Sequence, residues 1–156
     1  MFQRMLVAAA MIAGATFTVG TSAAQADFPG AHPAYRHALA DLRVARGLLD
    51  VNSYGRGVDA NEDVALDAID RAIGDIKAAG VDDGKPMGFG VAPDPGIDRR
   101  GRLHRALQAL RDAHRDATRE EQNPVALGLR RRATIDIDVA IQRDKRAIRD
   151  VDRASF

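Results

Sequence analysis

An all-α fold, a four-helix bundle with its helices running up and down in antiparallel fashion, is what this chain predicts, and three observations carry it. Apolar residues recur at alternating steps of three and four in four separate segments. Gly, Pro and Asp punctuation separates those segments, and no stretch shows the apolar–polar alternation of a half-buried strand. Together these favour helices that bury one stripe each against their neighbours. The expected organisation is a signal peptide over residues 1–26 and a single four-helix-bundle domain over 27–156, with a long loop between helices 2 and 3.

The first helix is expected from Pro33 to Asp50, with Pro33 at a first helical position, where the missing N–H costs nothing. Its stripe is Tyr35, Ala38, Leu42, Ala45 and Leu49. The second starts near Asp59–Asn61, where Asp59 and Glu62 have the spacing of a capping box, and stops at Gly80. Its stripe is Ala65, Ile69, Ala72, Ile73 and Ile76. Asp63, Asp67 and Asp70 fall roughly 130° from that stripe at 100° per residue, which makes them a solvated face rather than a cation site. The segment 80–98 is long for a helix connection and reads as a crossover or a lid. The third helix is expected from Arg99 to Gln122, with Leu103, Ala106, Leu107, Leu110 and Ala117 inward. Asn123-Pro124 then stops and restarts the chain. The fourth helix runs to Asp152 on Ala133, Ile137, Ala140, Ile141 and Ile148. Ile135 and Val139 fall off that stripe, so the last helix is either buried on two sides or carries a dimer contact.

The first 26 residues have the form of a secretory leader. Arg4 gives a positive start, Met5 to Val19 an apolar stretch, and Ala24-Gln25-Ala26 small residues at the cleavage positions. The expected mature protein is periplasmic or secreted, with no membrane insertion once the leader is removed. It has no cysteine, so packing must hold it together without disulfides. Charge is divided unevenly. Residues 27–98 carry 7 basic and 13 acidic side chains, residues 99–156 carry 15 basic and 9 acidic. Either the two halves pair internally, or a basic C-terminal face is left for an anionic partner. The near-zero total gives no general attraction for nucleic acid.

Several chemistries have no machinery in the sequence. There is no Glu-x-x-His pair for a di-iron bundle and no Cys-x-x-Cys-His for haem attachment. The mature serines, Ser53 and Ser155, sit in no Gly-x-Ser-x-Gly elbow, and no glycine-rich phosphate loop is present. No catalytic residue is therefore assigned.

Polar residues within the apolar stripes are the remaining candidates, since a buried polar group must be hydrogen-bonded and a buried charge paired. His114 continues the line Leu103-Leu107-Leu110, Asp144 lies between Ile141 and Ile148, and Arg46 lies between Leu42 and Leu49. In a simple up-down order Arg46, Glu62, His114 and Arg130 fall near one end and form a structural polar core. Tyr35, His37, Asp75, His104 and Asp144 fall near the other. With His32 close by, this second group offers imidazole and carboxylate ligands of the borderline type suited to zinc, copper or nickel. The metal set would be His32, His37, His104 and Asp144, and a divalent transition metal the cofactor. Against it, His37 and His104 lie off their stripes, and His37 pairs equally well with Asp41 one turn on.

The run from His32 to Arg46, HPAYRHALADLRVAR, together with Arg100 to Leu107, RGRLHRAL, and Arg119 to Pro124, REEQNP, resembles a family of exported bacterial helical-bundle proteins. The resemblance implies export and a helical fold and brings no activity with it. The expected role is a binding or interaction module for an unknown protein or small-molecule ligand, with a second copy of the chain among the candidate partners. The alternative is a metal-binding protein using histidines and carboxylates near one end of the bundle.

Overall fold

A computed structural model describes residues 33–50, 59–80, 96–119 and 124–155. The leader, His32 and most of the 80–98 connection lie outside the described residues. Four helices are present: α1 (Pro33–Leu49), α2 (Ala60–Ala79), α3 (Arg99–Arg119) and α4 (Pro124–Ala154). Pro33 and Pro124 open α1 and α4 as expected. Asp59 caps α2 by accepting from the Asn61 amide at 2.8 Å. The capping box is only half realised, because Glu62 turns to Arg99 instead. Gly80 ends α2 with its N–H on the Ile76 carbonyl at 3.0 Å. Its φ of −100° makes no use of the left-handed region. Asp98 caps α3, accepting from the Gly101 amide at 2.8 Å. A Cβ at Gly101 would stand 2.8 Å from the Asp98 carboxylate and 2.9 Å from Ile97, so a larger residue there must displace those side chains.

All four stripes meet in one core. It is rich in alanine: Ala38, Ala45, Ala65, Ala72, Ala106, Ala113, Ala133 and Ala140 are fully buried, letting helix axes approach closely around Leu42, Leu49, Ile69, Leu110 and Ile137. Tyr35 closes one end at 2% exposure.

The order of helices around the bundle is α1, α2, α4, α3. Polar contacts set the directions. Arg99 at the start of α3 pairs with Asp59 and Glu62 at the start of α2, each at 2.7 Å. Arg102 Nη1 donates to the Leu48 carbonyl at the end of α1. Arg100 meets Asp152, and Asn61 meets Asp150, at the end of α4. So α2 and α3 run the same way, and α1 and α4 run against both. Every adjacent pair is antiparallel, as expected, but the chain visits the ring as up, down, down, up. The end of α2 and the start of α3 therefore lie at opposite ends of the bundle.

One consequence concerns α4. Arg100–Asp152 and His114–Asp138 lie equal steps apart on both helices. Continuing that register puts Arg119 level with Ala133, so residues 124–132 of α4 extend past the level of Arg119. At 1.5 Å per residue that overhang is roughly 13 Å. No helix among the described residues is long and apolar enough to cross a membrane.

Candidate functional site

The direction of α3 reassigns the residues singled out in the sequence. With α3 starting beside the end of α1, His104 lies near one end and His37 near the other, roughly 13 Å apart along the axis. His104 is exposed, whereas Asp144 is fully buried at 0%. No three His, Asp or Glu side chains gather to hold an ion among the described residues, and His32 lies outside them. The expected metal set is thus not brought together. Asp75 instead accepts from Arg132 at 3.0 and 3.2 Å.

The expected polar core also divides. Glu62 is fully buried, but Arg46 is exposed and pairs with Asp70 at 2.7 Å. His114 is half-buried and lies 3.4 Å from Asp138, at the α3–α4 seam. Arg130 is half-buried on the overhang of α4. Arg46 and His114 occupy the edges of their stripes, where a long side chain reaches water. The buried polar residues are Glu62, Arg102, Asp116 and Asp144. Arg102 and Asp116 gave no sequence signal because they flank the α3 stripe rather than interrupt it. Arg102 is explained by its position: its guanidinium supplies a donor and positive charge at the carbonyl end of α1.

Two regions remain as candidates. The first is a buried carboxyl pair on the α2–α4 seam. Glu62 Oε1 accepts from Arg99 at 2.8 Å, while Glu62 Oε2 and both oxygens of Asp144 are buried without hydrogen-bond partners among the described residues. Asp144 thus occupies the core position its stripe predicts, without the hydrogen bonds expected of a structural residue there.

The second is a cleft of about 330 Å³ where the end of α3 meets the overhang of α4, lined by Thr118, Leu127, Arg130, Arg131, Thr134 and Ile135. Leu127 and Ile135, at 45% and 55% exposure, are the exposed large hydrophobics among the described residues, and both belong to this cleft. Leu127, Arg131 and Ile135 follow one another at i, i+4 and i+8 and form a single exposed line. Ile135 is thus left open, while Val139 packs partly against the core. No protein-family model, curated protein or solved structure matches this chain.

Proposed function

We propose that this chain is an exported helical interaction module whose cleft between α3 and the overhang of α4 receives an acidic amphipathic helix of a partner protein. The observation that carries the reading is the apolar–cationic–apolar line Leu127–Arg131–Ile135. Two exposed aliphatic side chains about two turns apart, with an arginine between them, offer the spaced apolar contacts that the apolar face of an amphipathic helix takes up in a groove. Arg130 and Arg131, within a C-terminal half of 15 basic and 9 acidic residues, favour a negatively charged occupant. Export rests on the leader pattern of residues 1–26 and on the resemblance of the His32–Arg46 run.

A labelled synthetic helix with Leu on one face and Glu on the other serves as the probe. It is expected to bind the protein, and Leu127→Asp or Ile135→Asp to weaken binding by about tenfold or more, an effect of about 1.4 kcal/mol. Both positions are exposed, so folding should change by no more than about 0.5 kcal/mol. Equal binding of the same helix with Lys in place of Glu would overturn the charge argument. Preferential binding of phosphatidylglycerol vesicles would overturn the protein-partner assignment. A dimer in sedimentation equilibrium that Ile135→Asp abolishes would make a second copy the occupant.

A further inference from the structure

We propose that Asp144 is a buried proton-binding latch: the bundle closes around its neutral carboxyl, and loss of that proton loosens the α2–α4 seam at the end where α4 finishes. Asp144 is 0% exposed, and neither of its oxygens has a hydrogen-bond partner among the described residues. An ionised carboxylate in such a place loses its hydration without replacement, whereas the neutral acid loses far less.

The surroundings of Asp144 do not compensate the charge. Helix α4 packs on α2 and α3, with α1 across the diagonal. From α2 the facing charge is Glu62, itself fully buried, with Oε2 unpartnered. The guanidinium that serves Glu62 belongs to Arg99, which is shared with Asp59. From α3 the charge within reach is Arg111, which is exposed. On α4 itself, Arg143 and Lys145 precede and follow Asp144 and point about 100° to either side. Burial first, and the charge of Glu62 second, push the Asp144 carboxyl up to about 7, with Arg111 opposing only in part.

The folded state therefore holds the Asp144 proton more tightly than the unfolded chain does. Its contribution to stability is full below the ordinary carboxylate value of 3.8, declines as pH rises, and is gone above about 7. Above that, two carboxylates face each other across a dry seam, and helix separation or water entry is the available relief. The device is acid-closed, and it does not depend on the cleft.

The test uses the full mature chain. In the wild type, the Asp144 carboxyl ¹³C resonance is expected to titrate near 7, and the unfolding constant to rise by up to about tenfold per pH unit across the window. Asp144→Asn and Asp144→Leu should each lose that part of the pH slope. At pH 8, amide exchange corrected for intrinsic rate should be faster in the wild type than in Asp144→Leu, selectively around residues 62–69 and 140–148. A resonance titrating near 4, or a wild-type slope retained in the variants, would overturn the latch. Exchange that quickens uniformly in all four helices would overturn its localisation to the seam. If Asp144→Asn fails to fold, the wild-type resonance and Asp144→Leu still decide.

Discussion

Glu62 enters the core with one charge-assisted partner, and that makes Arg99 worth more than an ordinary surface arginine. Arg99 is one-third exposed, while Glu62 is fully buried, so the two lose unequal amounts of hydration on folding. Removing Arg99 strands the carboxylate. Breaking a buried pair in this one-sided way costs about 3–5 kcal/mol when both partners are enclosed. The exposure of Arg99 puts Arg99→Met lower, at about 2–3 kcal/mol near pH 7. Urea midpoints at pH 7 check this; no loss would mean that Arg99 contributes nothing to holding Glu62 in the core. Asp41, midway along α1, carries another raised carboxyl. Burial, then the charges of Asp112 and Asp116, push its carboxyl up to about 6, against the pull of Arg115. Asp59 goes the other way: burial raises its carboxyl, but Arg99 and the Asn61 amide more than offset this and hold it below the ordinary value. Its stabilisation is present above pH 3.8 and fails only in stronger acid.

Among elements, the glycines give a sharp comparison. Gly74 sits exposed inside α2, and a Cβ there would meet nothing within 4 Å. Gly74→Ala should therefore stabilise the protein by about 1 kcal/mol through helix propensity alone. Gly101→Ala adds the same propensity but drives the Asp98 carboxylate off the cap, a loss of about 1 kcal/mol, so its net effect should be near zero. Thermal melts of the two variants should differ by that cap energy; an equal gain in both would mean that the Asp98 cap contributes nothing. The four helices were legible because their stripes are regular and Pro33, Asp59, Gly80 and Pro124 mark their ends. The direction of α3 was not legible, because a connection as long as 80–98 can return to either end, and periodicity is blind to polarity along an axis. That single reversal separated His37 from His104 and dissolved the expected grouping of Arg46, Glu62, His114 and Arg130. Asp144 is legible as a core position because its neighbours Ile141 and Ile148 lie on either side of it in the stripe. Its lack of partners depends on which residues α2 and α3 bring opposite it, which no local pattern encodes.

At the scale of the whole molecule, two kinds of electrostatics coexist, and salt can separate them. Some of the division between acidic and basic halves is resolved internally, through Arg99 with Asp59 and Glu62 and Arg132 with Asp75, while Arg71 with Asp136 joins the halves with the signs reversed. The last two pairs each join an arginine more than half exposed to a carboxylate near the surface, so each contributes little and is screened by ions. The cost of ionising Asp144 has another origin. It is chiefly desolvation at a site with no exposure, amounting to about 4 kcal/mol between the ordinary carboxylate value and a value of about 7. Raising salt from about 0.1 M to about 1 M shortens the screening length from about 10 Å to about 3 Å, which reaches the surface pairs and leaves the dry seam largely untouched. Stability should therefore fall modestly with added sodium chloride. The fall between pH 5 and pH 8 should persist at both salt concentrations with nearly the same size. Urea titrations at the four combinations of salt and pH measure both effects on one chain. A pH dependence that high salt erases would place the responsible carboxylates at the surface, and the buried Asp144 could no longer account for it.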